Sequence, residues 1–338
     1  MERSAIGLLL VKAESTYGTD PTPTNAANLI PVEGAATWQV ASTRIDRKVL
    51  DGTHDKIAGF NALPNVTLKF KYAIRGNRTD GSTADVSAGS SSNKIEIDGL
   101  LQASDLSPTY TAESGGGTRD GNVIYKPVVP TSQGGVGASV TCYWQTELKK
   151  HAIVGGKVDF EVTMEAGKMA YIDFTVRGKY VAITDNTLST SSAAYLDIKP
   201  PLFTPSVLTL GSYTPVVSNV KFSLGNDIQM RENAVASTGE GIEGFIIVDK
   251  SPKGEFNPES VAEATNPFWA AWRASTVATL TATFGSQSGN KFSAILSTEL
   301  TDVNYTDLNK RRVHSAKFEI LKSTLSTAAG SQFQLKWY

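Results

Sequence analysis

Apolar and polar residues alternate with a period of two along much of the chain. The clearest run spans residues 156–182. There Val158, Phe160, Val162 and Met164 alternate with Asp159, Glu161, Thr163 and Glu165. Beyond a Gly-Lys turn at Gly167, Ala170, Ile172, Phe174 and Val176 alternate with Tyr171, Asp173, Thr175 and Arg177. Strict alternation puts all apolar side chains on one face of a strand, so the stretch predicts a long antiparallel hairpin. One face is dry. The other is wet and mostly acidic, carrying Asp159, Glu161, Glu165 and Asp173, and is read as the working surface.

The rest of the first half reads as shorter strands. Ala5–Val11 is an apolar run too short to span a membrane. It lacks a basic segment before it and a cleavage site after it, so it is read as a strand of a protein made and assembled in the cytoplasm. Residues 1–34 look like an N-terminal arm, because Ser15–Asn25 is dense in turn formers and Pro21 and Pro23 favour extended or turn backbone. Ala35–Ser42, around Trp38 and Val40, and Val66–Ile74 alternate as strands. Polar loops follow at Gly76–Ser92 and at Glu113–Asn122, the latter holding three glycines at 115–117. Between them Asn93 suits the cap of a short helix, Lys94–Ser104, with Ile95, Leu100 and Leu101 inward. Strands resume at Val123–Val129 and Ser139–Lys149.

Residues 184–215 are rich in Thr, Ser and Pro, and a domain boundary is placed there, with 196–215 as linker. The second half repeats the theme. Asn219–Arg231 carries Val220, Phe222, Leu224, Ile228 and Met230, and Ile242–Asp249 is a short apolar strand. Asn257 and Pro258 suit a helix start. That helix would run to about Thr276, bent near Pro267, with Phe268, Trp269 and Trp272 packed inward. Thr279–Phe284, Lys291–Leu300 and Val313–Lys322 read as strands, and Ser331–Tyr338 as a strand or C-terminal arm seeking an edge. Both halves thus read as strands, a short helix, then strands ending in a hairpin. The order suggests a duplication, although the residues hardly match. The division expected is an arm at 1–34, one unit at 35–195, the linker, and a second unit at 216–338.

Composition narrows the function. The 338 residues carry a net charge of −1, which argues against a general nucleic-acid-binding surface. The single cysteine, Cys142, excludes an intramolecular disulfide framework and a Cys-rich zinc site. His54, His151 and His314 are scattered, without the spacing of ligands on a helix. Residues 239–244 match G-x-G-x-x-G but lead into a strand and bring two glutamates, which is the wrong setting for a dinucleotide. Gly285–Gly289 has Gln287 where a nucleophile elbow needs serine. The acids of the hairpin could be offered as a carboxylate pair or a calcium site. Alternation alone accounts for them, and no catalytic, metal or cofactor-binding residue is assigned.

The segment Leu8–Pro23, most specifically Lys12–Pro23 with Tyr17-Gly18-Thr19-Asp20-Pro21, resembles the N-terminal stretch of tail tube proteins of long-tailed bacteriophages. Beyond it the likeness is one of element order and composition. The resemblance implies a mainly β protein with two tandem β-sandwich or barrel units, each with a short flanking helix. It implies a virion protein without enzyme activity, whose inner sheets join into a barrel and whose rings stack into a tube for genome delivery. Six units usually make a ring, so three copies of a two-unit chain would complete one. Implied partners are other copies of the chain, the tape measure protein and genomic DNA in the lumen, and terminator and distal tail proteins at the tube ends, with no membrane. On this view Asp159, Glu161, Glu165 and Asp173 face the lumen, and Tyr17, Asp20, Pro21 and Pro23 belong to an arm bridging rings.

Two other readings stay open at this stage. One is a different tail component, such as a terminator, baseplate ring or decoration protein. The other is a carbohydrate-binding adhesive β-sandwich using Trp38, Trp144 or Trp269 as sugar platforms.

Overall fold

The computed structural model describes residues 3, 6–76, 95–111, 122–128, 136–188, 198–205, 207–235, 241–322 and 332–338. The expected loop Gly76–Ser92 (past Gly76), Asn93 and the triple glycine lie outside the described residues. The first half contributes β1 (Gly7–Ala13), β2 (Leu29–Ile30), β3 (Thr37–Ile45), β4 (Phe60–Ala73), α1 (Asp98–Ala103), β5 (Leu106–Thr111), β6 (Asn122–Pro127), β7 (Val140–Thr146), β8 (Lys149–Glu165) and β9 (Tyr171–Asp185). The second contributes β10 (Val207–Leu210), β11 (Val217–Ser223), β12 (Asn226–Glu232), β13 (Ile242–Lys250), β14 (Lys253–Pro258), α2 (Phe268–Arg273), β15 (Val277–Phe284), β16 (Phe292–Leu308), β17 (Arg311–Ile320) and β18 (Phe333–Trp337). The protein is mainly β and its described strand pairs are antiparallel.

The hairpin read from alternation is present, as β8 and β9, and is longer than expected because both strands run on past Gly156 and Ala182. Val158, Phe160, Val162 and Met164 are buried, as are Ala170, Ile172, Phe174 and Val176. Burying one such large side chain stabilises the fold by about 1.5–3 kcal/mol. Ring contacts lock the layer, with Phe174 between Phe70 at 5.4 Å and Phe160 at 6.0 Å.

One pairing scheme occurs twice. In the first half the strands run β1-β7-β8-β9-β4-β3, and in the second β10-β15-β16-β17-β14-β11. Chain order also matches, with α1 between β4 and β7 and α2 between β14 and β15. One bulge matches too. β8 slips against β9 between Val154 and Lys157, and β16 slips against β17 between Leu300 and Asp302. The halves meet where β11 pairs with β8. Eight strands, β3-β4-β9-β8-β11-β14-β17-β16, therefore form one continuous antiparallel sheet. One hydrophobic core spans both halves, from Leu9 to Trp337.

Several expectations are corrected. The linker is not featureless: Phe203 is buried, and β10 pairs with β15. The helix expected from Asn257 is only α2, because Asn257 and Pro258 end β14 and the Asn257 side chain accepts the backbone N–H groups of Ser218 and Asn219. Only Phe268 of its three aromatics is buried; Trp272 is exposed. α1 is likewise shorter than the expected 94–104. Asn219–Arg231 is two strands, split at Leu224-Gly225, where Gly225 takes φ +63°. The C-terminal strand needs no partner chain, since β18 lies between β16 and β6.

The N-terminal segment is docked, not a free arm. β1 completes the edge of β7 and buries Leu9 and Leu10. Behind it Glu14 is buried, and its carboxylate accepts the Ser139 and Thr141 hydroxyls at 2.6 and 2.7 Å and the Gly18 and Gly155 N–H groups at 2.7 Å each. A buried charge held by such donors leaves them orphaned if removed. Glu14→Ala is expected to lower unfolding stability by roughly 3 kcal/mol, with Glu14→Gln costing less. Denaturant titration checks this, and a loss under about 0.5 kcal/mol, the range of surface changes, would contradict the clamp.

Candidate functional site

The polar face of the eight-stranded sheet is the candidate site. Register places its side chains in rows across the strands. One row runs Lys71, Asp173, Glu161, Ser223, Lys253, Glu319 and Glu299. The next runs Tyr171, Thr163, Lys221, Glu255, Lys317 and Asp302. Lys221 meets Glu161 at 3.0 Å, Lys71 meets Asp173 at 3.6 Å, Lys317 meets Asp302 at 3.6 Å and Lys168 meets Glu165 at 2.6 Å. Exposed pairs like these add little stability, about 0–1 kcal/mol each. They do set the charge. The face is mixed, not acidic as the hairpin alone suggested, because the neighbouring strands β4, β11, β14 and β17 supply lysines. A shallow concavity of about 380 Å³ lies on it, lined by Glu161, Lys221, Lys253, Glu255, Lys317 and Glu319 among others.

The four acids do not share one environment. Glu161, Glu165 and Asp173 are partly exposed on the face. Asp159 is likewise partly exposed but is held from within the chain: its carboxylate accepts the Asn226 N–H at 3.0 Å. Burial raises its pKa against the lowering effect of that bond. Asp159 thus holds the turn that launches β12.

Its place marks a fork. Along one edge β8 pairs with β7 up to Gly156 and with β11 only from Glu161. Between them the backbone needs other partners. The Asn226 side chain donates to the Val158 carbonyl at 2.9 Å and the Ser104 carbonyl at 3.3 Å. Lys157, with its side chain fully buried, donates to the carbonyls of Ala138, at 2.6 Å, and Val136, and lies 3.9 Å from the Asp105 carboxylate. Lys250 donates to the carbonyls of Ser104 and Asp105 at 3.3 and 3.0 Å. Burial pulls Lys157 down to about 8 and lowers Lys250, while it raises Asp105. Alternation gave no sign of this cluster, because Lys157 reads as one more polar residue on the wet face.

The residues assigned to an inter-ring arm are engaged within the chain. Tyr17 lies against Gly155 and Gly244; a Cβ on Gly244 would come within 2.4 Å of its ring. The Tyr17 hydroxyl donates to the Gly155 carbonyl at 3.1 Å and accepts the Phe245 N–H at 2.5 Å. Burial pushes its pKa up to about 12. Gly244, the last glycine of the rejected G-x-G-x-x-G, therefore serves packing. Asp20 accepts the Tyr143 hydroxyl, the Pro21 carbonyl accepts Lys12 Nζ at 2.8 Å, and Pro23 is buried.

Other candidates lie apart. Cys142 is fully buried and its thiol pKa is raised by burial. His54 is exposed, His151 stacks on Trp38 with ring centroids 5.0 Å apart, and buried His314 stacks on Phe268 at 4.9 Å. Trp144 is half-buried, and Trp269 packs against Trp272 and Tyr305. Among the described residues no group of three or more His, Cys, Asp or Glu could hold a metal, and no helix is long and apolar enough to cross a membrane. No protein-family model matches the chain, and no curated protein matches it significantly.

The fork carries a signed pH dependence. The unfolded chain keeps the Lys157 proton up to about its ordinary 10.5, whereas the folded chain gives it up from about 8. Unfolded chains bind more protons in that window, so stability rises with pH there. Lys250, whose pKa burial also lowers, acts in the same direction. From pH 7.5 to 9.5 the native protein should gain roughly 2 kcal/mol relative to Lys157→Met. Denaturation at both pH values measures the difference, and parallel profiles would refute the shift.

Proposed function

We propose that this chain is a structural virion protein, the major tail tube subunit of a long-tailed bacteriophage, and that it acts by assembly, without catalysis. The observation that carries the reading is the pairing scheme found twice, side by side, in one sheet with a single wet face. A chain built this way supplies two equivalent units to a larger structure. Its end strands, β3 and the outer part of β16, are open edges, and open edges invite pairing with another chain. A closed ring removes them, and closed cyclic symmetry is the usual outcome of self-association. Three copies of two units give the six-unit ring of the tube proteins that Leu8–Pro23 resembles.

On this reading the wet face lines the lumen, and the tape measure protein and then genomic DNA pass along it. Its mixed charge matters. Lysines paired with carboxylates offer a polyanion little net attraction, so DNA finds no continuous basic track to grip. Stacked rings meet terminator and distal tail proteins at the tube ends.

Electron microscopy of the purified protein tests the assembly, and rings or tubes of one diameter are expected. Monodisperse monomers at high concentration would overturn the reading. The lumen assignment has its own test. Glu161→Lys with Glu165→Lys leaves the core untouched and should leave tubes intact while slowing genome delivery, because a basic track appears beside Lys71, Lys221 and Lys253. Unchanged infectivity of such virions would remove the face from the lumen.

A further inference from the structure

The fork at β8 is a template for the contact between copies. The two units can be aligned residue by residue from the matched bulges of β8 and β16. Just past each bulge comes an apolar row, buried except for the half-buried Trp38: Trp38–Leu68–Val176–Val158 in the first half and Val220–Phe256–Ala316–Val303 in the second. Trp38 thus corresponds to Val220, and Val158 to Val303. By the same step Val40 corresponds to Phe222, Ala41 to Ser223, Phe160 to Tyr305 and Glu161 to Thr306. Within the chain β11 fills the outer edge of β8, with Phe222 opposite Val162, Ser223 opposite Glu161, and the Leu224 N–H donating to the Phe160 carbonyl at 3.0 Å. The corresponding edge of β16 carries β15 only as far as Glu299. Beyond that, among the described residues, no strand pairs with it, and the Thr301 carbonyl is met by the Trp272 indole at 3.0 Å. The strand that corresponds to β11 is β3, whose outer edge is equally unpaired among the described residues.

We infer that β3 of one copy pairs antiparallel with the outer edge of β16 in a second copy, in the register that β11 takes on β8. This rests on the tube reading and names the strands that would close its ring. Val40 then lies opposite Asp307, Ala41 lies opposite Thr306, and the Ser42 N–H faces the Tyr305 carbonyl. Exposure supports the choice. Phe222 and Phe160, at the filled junction, are 3% and 2% exposed, whereas their counterparts Val40 and Tyr305 are 50% and 52% exposed in the single chain. Apolar side chains stand in the open at both ends of the sheet, where the template buries them. The filled junction also carries the Lys221–Glu161 ion pair, whose counterparts Gln39 and Thr306 are uncharged. Contact between copies therefore depends on backbone hydrogen bonds and apolar cover, and is insensitive to salt.

The register can be trapped. Leu224 and Phe160 form a hydrogen-bonded pair, so the Ser223–Glu161 position is a non-bonded pair, with Cα atoms about 4.5 Å apart, within disulfide range. Its counterpart is Ala41 with Thr306, and Cys142 is too buried to compete. Full-length Ala41→Cys/Thr306→Cys, oxidised after assembly, should give a covalent ladder ending at three chains on a non-reducing gel. Each single variant should stay unlinked, and Ala41→Cys/Asn304→Cys, slipped by two residues, should link at least tenfold less. Val40→Asp, at a position exposed in the single chain and set opposite Asp307, should abolish assembly with an unchanged melting temperature. Rings or tubes without cross-links in the first variant would overturn the pairing and leave the tube reading standing. A wild-type chain that does not assemble, together with a double variant that does not cross-link, would overturn both. A ladder ending at six chains would support the pairing and overturn the three-copy ring.

Discussion

The backbone of β8 has to satisfy three neighbours along two edges. β9 takes one edge for nearly its whole length, and β7 and β11 divide the other. Every buried N–H and C=O needs a partner, so the interval between β7 and β11 cannot stay empty. Asn226, Lys157, Lys250 and the carbonyls of Ser104, Asp105, Val136 and Ala138 fill it. These groups come from segments far apart in the chain. The fork is therefore where the first half, the second half and α1 are tied together, and the continuous sheet depends on it.

This construction explains why both halves share one core. If β11 merely followed a linker, the second half could fold as a separate body. Its pairing on β8 instead carries the sheet across the boundary, and Val220 and Phe222 enter the same apolar layer as Val162 and Met164. The N-terminal segment reinforces the joint from the other side, since Tyr17 touches both β8, at Gly155, and β13, at Phe245. Glu14 fixes the same corner by holding the 139–141 strand start against Gly155. A Tyr-Gly-Thr-Asp-Pro stretch that looks like a loose tail is thus a clasp across the fork.

The wet face shows how far a single hairpin can mislead. Read alone, β8 and β9 present Asp159, Glu161, Glu165 and Asp173 with few bases. Adjacent strands then place Lys71 and Lys221 beside two of them, and the turn residue Lys168 beside a third. The fourth, Asp159, is bonded to the backbone and holds a turn. The electrostatic character of a sheet belongs to its strand order, which no one strand encodes.

What the sequence determined by itself is local. Period-two alternation sufficed for the presence of the hairpin, β3, β4 and β7 and, in the hairpin and β4, for which residues enter the core, because a strand's two faces follow from backbone geometry alone; in β3 Val40 stays exposed, and β7 is buried on both faces from Val140 to Tyr143. The resemblance of halves was visible as element order. The tertiary structure alone decided which strands lie side by side, that β10 forms inside the linker, that Asn257 ends a strand and starts no helix, and that Lys157 is buried while its neighbour Glu161 is partly exposed. Those outcomes depend on hydrogen-bond partners and neighbours tens of residues distant, and side-chain pattern within one segment carries no information about them.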